Sequence, residues 1–414
     1  MIREAIILAG GLGTRLREAV PDLPKCMAPV DGRPFLFYVI NYLRLQGVEK
    51  FIFSLGYRQE QISTWLEEQF PFLSYQLVIE EEPLGTGGAI QKALRVASEK
   101  NLVVVNGDTL YKAELDTAAV FHTNHMAECT LLLKPMTDFD RYGVVELEET
   151  GLVKSFLEKR KFDTGTINGG IYLLNRDKFL DEEFPEKFSF EKEYLEKFYT
   201  QRRIYGYIQD AYFIDIGIPE DYQRACAELA ARPPALNEAD KSWTLFLDRD
   251  GVINVDKDGS YIFSPDEFQF TEGGPAHFRK LSEIFGRIVI VTNQRGVGRG
   301  LMTEEALHAI HDRMRLAIEA AGGRIDEIFY CTSVTNDHPD RKPNPGMAVI
   351  AKRHFPEIDF SRSMMVGNNL SDMLFGRNAG MYTVFIKSTR PNQPLPHPDI
   401  DLAFNSLDDF VKAL

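Results

Sequence analysis

Short apolar, β-branched runs alternate with stretches of helical periodicity along almost the whole of this 414-residue chain, and few folds accommodate that alternation. A buried strand, a helix and another buried strand in succession call for crossover connections. The pattern therefore implies α/β architecture with mainly parallel sheets. Ala5–Leu8, Lys50–Ser54, Tyr75–Glu80 and Leu102–Val105 read as buried strands, and Phe35–Gln46, Gln59–Gln69 and Gly88–Ser98 carry helical spacing between them. From Cys129 to Leu174 strands dominate, as in an antiparallel lobe added to a parallel sheet. Pro219 followed by Glu220 and Asp221 marks a helix start.

The pattern breaks once. Arg232-Pro-Pro-Ala-Leu-Asn-Glu-Ala-Asp240 ends the preceding helix with two prolines and continues as a polar stretch. A second alternation restarts at Thr244–Leu247, with later strands at Arg287–Val291, Glu327–Tyr330, Ser363–Val366 and Tyr382–Ile386 and a helix at Thr303–Ala321. The length favours more than one core. Two domains are expected, 1–231 and 243–414, joined by a linker at 232–242.

With 44% apolar and 26% charged residues the composition is globular, and a net charge of −14 argues against a nucleic-acid partner. A site for phosphate esters in so acidic a chain must bring its own cations. Cys26, Cys129, Cys226 and Cys331 lie far apart, which fits a reducing compartment. No apolar run approaches the roughly 20 residues of a membrane span. The opening MIREAIILAGG carries Arg3 and Glu4 and runs straight into a strand, so it is not expected to act as a signal peptide. A cytoplasmic protein without membrane contact is the expectation.

The first strand opens into Ala9-Gly10-Gly11-Leu12-Gly13-Thr14-Arg15-Leu16, with Pro24-Lys25 beyond. Adjacent glycines after a strand let backbone N–H groups approach phosphate oxygens, while Arg15 and Lys25 supply charge. The loop matches neither the P-loop pattern nor the dinucleotide fingerprint. A glycine pair alone would be satisfied by a tight turn with a solvated arginine, but GGxGTRL followed by PK resembles the signature of the sugar-1-phosphate nucleotidyltransferases. Further segments resemble that family in order across residues 1–230. The resemblance implies a Rossmann-like (GT-A-like) domain with an antiparallel sugar-binding lobe. It also implies nucleotide contacts from Leu8, Ala9, Gly10, Gly11, Gly13 and Thr14, and from Pro83, Gly85 and Thr86 in Glu82-Pro-Leu-Gly-Thr-Gly-Gly88. Sugar contacts would come from Gly143 of Arg141-Tyr-Gly, from Glu158 and Lys159, and from Asn168 of Ile167-Asn-Gly-Gly170. Asp108 of Asn106-Gly-Asp and Asp215 of Tyr212-Phe-Ile-Asp would hold Mg²⁺, a hard cation suited to carboxylate oxygens. Arg15 and Lys25 would be the catalytic cations. Taken singly, Asp108 would pass for a turn residue. Within the family, PKCMAPV and EEPLGTGGAI most resemble the D-glycero-D-manno-heptose-1-phosphate guanylyltransferases, with Cys26 where mannose-type relatives more usually have proline.

In the second half, Leu245-Phe-Leu-Asp248-Arg-Asp250-Gly places two carboxylates just past a buried strand, at the sheet edge where α/β proteins bind ligands. Alone this is equally a calcium-loop fragment or a turn. Val291-Thr292-Asn293-Gln294, Arg341-Lys342-Pro343 and Gly367-Asn368-Asn369-Leu-Ser-Asp372 follow it, and together they resemble the motif set of the haloacid-dehalogenase-like phosphatases. The resemblance implies a Rossmannoid domain with a minimal cap, most like heptose-1,7-bisphosphate 7-phosphatases. Asp248 would be the nucleophile and Asp250 the general acid and base. Thr292, Asn293 and Lys342 would hold the phosphate; Arg299 and Arg341 are either further phosphate contacts or solvated arginines. Mg²⁺ would be bound by Asp248, Asp250, Asn368 and Asp372. Asn368 departs from the aspartate usual in the family, which lowers the expected Mg²⁺ affinity. Cys331 and His338 alone cannot close a four-ligand site, so no structural zinc is expected.

These features lead to the expectation of a bifunctional enzyme. One site would remove the C7 phosphate of heptose 1,7-bisphosphate, and the other would transfer a nucleotidyl group, with GTP the favoured donor, to heptose 1-phosphate. The alternative is a transferase for mannose- or another hexose-1-phosphate whose C-terminal domain is weakly active or only binds phosphosugars. The oligomeric state is left open.

Overall fold

Ala5, Ile6 and Ile7 of the Glu4–Leu8 strand are completely buried, so this strand can sit only in the middle of a sheet. The computed structural model describes residues 2–11, 20, 22–229, 236–257 and 259–414, and the chain divides into two units at residues 230 and 231. In the first unit Glu4–Leu8 lies between Lys50–Leu55 and Asn101–Asn106, parallel to both, and Ser74–Ile79 continues the parallel set. Beyond Asn101–Asn106 the sheet turns antiparallel through Phe162–Asn175, which also pairs with Cys129–Phe139 and Val144–Leu147. Val153–Leu157 forms that edge, and Ile204–Ile208 runs parallel to Cys129–Phe139. The helix Phe35–Leu45 covers the sheet with Phe35, Leu36, Val39, Ile40 and Leu43, each essentially fully buried. Each such side chain contributes roughly 1.5–3 kcal/mol of transfer free energy.

The helix expected at Gly88–Ser98 runs instead from Gly85 to Leu94. Its glycines belong to the helix because its first turn is pressed against residues 186–188. A Cβ on Gly87 would lie 2.2 Å from the Phe188 ring, and one on Gly88 would lie 2.3 Å from the Glu186 carbonyl oxygen. After Leu94 the chain leaves the helix in tight turns, with Val96 and Ala97 donating to Ala93 and Leu94. Two three-residue strands, Thr109–Tyr111 and Phe213–Asp215, pair antiparallel with Asp215 opposite Thr109. Neither was legible as a strand.

The second unit holds one sheet in the order Glu327–Cys331, Arg287–Asn293, Thr244–Leu247, Ser363–Gly367, Tyr382–Ile386, Leu402–Phe404, parallel throughout. Its core is built from Leu245, Leu247, Ile288, Ile290, Met364 and Val366 with the inward faces of the helices. The helix Glu304–Ala320 begins at Thr303, whose hydroxyl accepts from the Ala306 N–H. Between the first strand and the His277–Ile284 helix the described residues form 3-10 turns and isolated bridges at Asn254, with no inserted domain. Leu236 and Ala239, in the stretch read as a linker, pack against this core. Cys331 ends its strand buried and His338 lies in the following loop. Among the described residues no helix is long and apolar enough to cross a membrane.

Candidate active sites

Register decides what meets at the carboxyl edge of the first sheet. Leu8 pairs with Asn106, and the Gly107 N–H donates to the Leu8 carbonyl at 2.9 Å, so the loops after both strands leave side by side. The Asp215–Thr109 pairing then brings Asp215 to Asp108. Lys25 reaches both: its Nζ donates to the Asp108 carboxylate and, at 3.3 Å, to Asp215 Oδ1. Burial pulls the Lys25 ammonium down, but the two carboxylates outweigh it and hold it above its usual value. Asp215 is pushed up by burial and by the Asp108 charge, against the pull of Lys25. Two carboxylates converging on one cation are the hard-oxygen donor set that Mg²⁺ prefers, and the site fits it. Gly217 leaves the space open, since a Cβ there would lie 3.0 Å from Asp215 Oδ1 and 3.2 Å from Lys25 Nζ.

These residues line one end of a cleft of about 430 Å³. Leu8, Ala9, Gly10 and Gly11 form one wall, and Pro83, Gly85 and Thr86 form another. Gly13, Thr14 and Arg15 lie outside the described residues. Gly85 takes φ +71°, and a Cβ on it would lie 2.5 Å from the Phe188 carbonyl oxygen. Thr86 lines the cleft, but its hydroxyl is engaged elsewhere, donating to Glu191 at 2.7 Å and accepting from the Phe190 N–H at 2.9 Å. Glu80, which the sequence did not single out, stands between this cleft and an adjoining hollow of about 230 Å³ that also reaches Gly56 and Tyr57. It accepts from Ser54 Oγ at 3.1 Å and the Leu84 N–H at 3.2 Å, which leaves acceptor capacity on both oxygens. A Cβ on Gly10 would lie 2.7 Å from Glu80 Oε1, so the glycine is what lets the carboxylate come this close.

The four residues expected at the sugar do not line this cleft. Asn168 is bonded at both ends, from Nδ2 to Tyr172 at 2.9 Å and from the Gly170 N–H to Oδ1 at 3.0 Å. It positions a bulge whose Gly170 lies against the cleft residue Asn106. Glu158 and Lys159 are exposed just past the Val153–Leu157 strand, and Gly143 sits against the Leu157 carbonyl.

In the second unit three neighbouring strand ends contribute. Asp248 follows Leu247 and its N–H donates to the Val366 carbonyl. Lys342 Nζ lies 2.8 Å from Asp248 Oδ1, 2.7 Å from Asp372 Oδ1 and 2.8 Å from the Val291 carbonyl oxygen. Asp248 is pushed up to about 7 by burial, with Lys342 opposing and the Asp372 and Asp250 charges adding. Asn293 uses both ends of its amide on the backbone of Lys342, at 3.1 Å each, and so positions the lysine. Thr292 is buried, and its hydroxyl accepts from Gln294 at 2.8 Å.

Asp250 is gripped more tightly than a free acid–base group. Arg249, only 1% exposed, forks onto it with contacts of 2.8 and 2.9 Å, joined by Asn254 at 3.1 Å and Gln294 at 2.9 Å. Burial pushes the Asp250 carboxyl up, but Arg249 and these hydrogen bonds outweigh it and hold it below the usual carboxylate range. An ionised carboxylate held this way is a proton acceptor. Behind it, His311 Nε2 lies 3.2 Å from Arg249 and is driven down to about 3 by burial and then by that guanidinium, so a neutral imidazole accepts from arginine. Arg341 bonds Ser333 and Asn336, and Arg295 shares Asn336. Arg341 is held below its usual value by burial and by nearby Arg295 and Arg299. Cys331 Sγ stands 3.8 Å from His338 Nδ1, and the described residues bring no third His, Cys, Asp or Glu into a metal-binding group there.

Residues 4–232 match the nucleotidyl transferase family. This chain belongs to that family. Over 226 residues the transferase is 50% identical to a D-glycero-α-D-manno-heptose 1-phosphate guanylyltransferase of Aneurinibacillus thermoaerophilus, covering 55% of this chain and 98% of the relative. A protein of the same description from Campylobacter jejuni is 46% identical over 219 residues, 53% of this chain and 96% of the relative. Among solved structures, HddC from Yersinia pseudotuberculosis is 37% identical and superposes with a TM-score of 0.51, covering 55% of this chain and 99% of that one. Residues 340–409 match the HAD-hydrolase-like family. The chain thus joins a nucleotidyltransferase to a second unit that is similar, over residues 340–409, to HAD-hydrolase-like proteins.

Proposed function

We propose that the first unit transfers GMP from GTP to D-glycero-D-manno-heptose 1-phosphate, and that the second prepares that substrate by removing the C7 phosphate of the 1,7-bisphosphate. The observation that carries this reading is the match of the first unit to heptose 1-phosphate guanylyltransferases along nearly their whole length. The second unit suits the role because hydrolysis of a sugar bisphosphate yields the monophosphate that the first would consume.

In the transferase, an oxygen of the sugar phosphate attacks the α-phosphorus of GTP. The bond to the β-phosphate oxygen breaks, and pyrophosphate carries the charge away. Such a displacement depends on alignment and charge neutralisation more than on a protein nucleophile. Lys25 supplies a buried cation beside the phosphates, and the Ala9–Gly11 backbone approaches them closely. Glu80 supports the base assignment: guanine offers adjacent N1–H and N2–H donors, which a carboxylate can accept together. Mg²⁺, when bound by Asp108 and Asp215, neutralises phosphate charge.

In the phosphatase, a carboxylate oxygen of Asp248 attacks phosphorus and the bond to the C7 oxygen breaks, the leaving oxygen taking a proton that Asp250 passes on from solvent water. Water then attacks the aspartyl-phosphate, freeing Asp248 and inorganic phosphate. Asp250, as Arg249 holds it, serves the second half by accepting a proton from water. Lys342, Asp248 and Asn368 would face the phosphate and a cation. Substrates of this kind support a cytoplasmic location.

The test is to supply heptose 1,7-bisphosphate, GTP and Mg²⁺ and follow both products. Phosphate should appear first and pyrophosphate after it. Pyrophosphate from a hexose 1-phosphate, with none from the heptose, would overturn the substrate assignment. A second reading, in which the C-terminal unit only binds phosphosugars, is favoured by Asn368. Under that reading Asp248→Asn would leave phosphate release unchanged.

A further inference from the structure

Asn368 follows the Ser363–Gly367 strand, against the loop that carries the Asp248 and Asp250 pair: a Cβ on Gly251 would lie 2.0 Å from its Nδ2. Its amide donates to Thr389 Oγ1 at 2.9 Å, and among the described residues that is its only side-chain hydrogen bond. The three carboxylates of this centre, Asp248, Asp250 and Asp372, are all engaged. Asp372 gives Oδ1 to Lys342 at 2.7 Å and Oδ2 to the Asn369 N–H at 3.0 Å, where it closes the start of the Leu370–Ala379 helix. Asp250 is matched by Arg249. Lys342 in turn has its three N–H groups directed at Asp248, Asp372 and the Val291 carbonyl.

The charges then add simply. Arg249 cancels Asp250, Lys342 cancels one of Asp248 and Asp372, and Asn368 brings none. A divalent cation entering beside Asp248 meets one net negative charge and neutral amide and carbonyl oxygens. Cations of this kind shed water reluctantly, and their affinity follows the number of charged ligands. A phosphate dianion on Asp248 supplies the missing charge and oxygens. We infer that the C-terminal centre holds a divalent cation and a phosphate jointly, each binding weakly without the other. The inference rests on the reading of Asp248 as the phosphate-facing nucleophile. It makes Asn368 the residue that converts a standing metal site into one assembled by substrate. By linkage, phosphate must tighten cation binding by the same factor as the cation tightens phosphate binding.

The experiment titrates the full chain with Mn²⁺, reading the free ion by electron paramagnetic resonance, with and without inorganic phosphate. The C-terminal share is the binding that Asp248→Asn removes. For the wild-type chain that share should appear only with phosphate. Asn368→Asp should bind Mn²⁺ about tenfold tighter or more without phosphate, the scale on which ligand charge tunes such sites. Equal Mn²⁺ binding by wild type and Asn368→Asp without phosphate would overturn the inference. So would a wild-type isotherm that phosphate leaves unmoved, a result that needs no folded Asn368 variant. The isotherm requires no turnover, so failure to hydrolyse the sugar bisphosphate would sink the phosphatase reading while leaving joint binding intact.

Discussion

Glu80 touches the Ser54 hydroxyl and the Leu84 N–H and has acceptor capacity left for a base. Glutamine at that position keeps the shape, removes the charge and turns one acceptor into a donor, which would face a guanine N–H. Glu80→Gln is therefore expected to lower kcat/KM for GTP by about 10- to 100-fold, the roughly 1–3 kcal/mol that a paired base contact provides, in steady-state assays of pyrophosphate release. His311 supports a prediction of a different kind. Its folded-state value of about 3 lies below the 6.5 of a free imidazole, so it stays neutral when folded and takes a proton on unfolding. Stability is thus complete above pH 6.5 and falls as pH drops from 6.5 toward 3, by on the order of 1 kcal/mol per pH unit. His311→Gln, which can still accept from Arg249, should flatten that slope in denaturant titrations of the full chain. An unchanged slope would show that His311 protonates freely in the folded state.

At the scale of the element, the Gly85–Leu94 helix shows how tightly the cleft wall is built. Gly85→Ala would put a Cβ 2.5 Å from a backbone carbonyl at a φ of +71°. It should cost about 1–3 kcal/mol, measured as a lower urea midpoint for the transferase unit, with phosphate release retained. The strand ends that carry Asp108, Asp248 and Asn368 were legible because short, wholly apolar buried runs announce themselves and the loops after them are constrained by chemistry. Thr109–Tyr111 and Phe213–Asp215 were not, since three residues show no period, yet their pairing is what brings Asp215 to Asp108. Gln294 and Arg249 escaped notice for another reason. Each looks like an ordinary polar neighbour of a motif residue, and only tertiary contact turns them onto Asp250. Asn293 was named from its motif, and only the tertiary structure shows its side chain clasping the Lys342 backbone.

At the scale of the molecule, each unit has its own sheet, its own buried core and its own charged centre. The two activities should therefore fail separately. Lys25→Met is expected to reduce pyrophosphate release by at least about 100-fold, the scale of losing a charge stabiliser, with phosphate release unchanged. Asp248→Asn should do the reverse when heptose 1-phosphate is supplied directly. Loss of both activities in either variant would contradict the assignment of one chemistry to each unit.

Lys25 also lends the transferase unit a counter-ion of its own. With its ammonium joined to Asp108 and Asp215, the three segments that carry them are tied together by the polypeptide itself. Folding then need not wait on a dissolved ion, and a metal arriving later exchanges with a tethered one. Chelation should accordingly act as a reversible off-switch: EDTA is expected to stop pyrophosphate release, move the Tm of this unit by no more than about 2 °C, and be fully undone by added Mg²⁺.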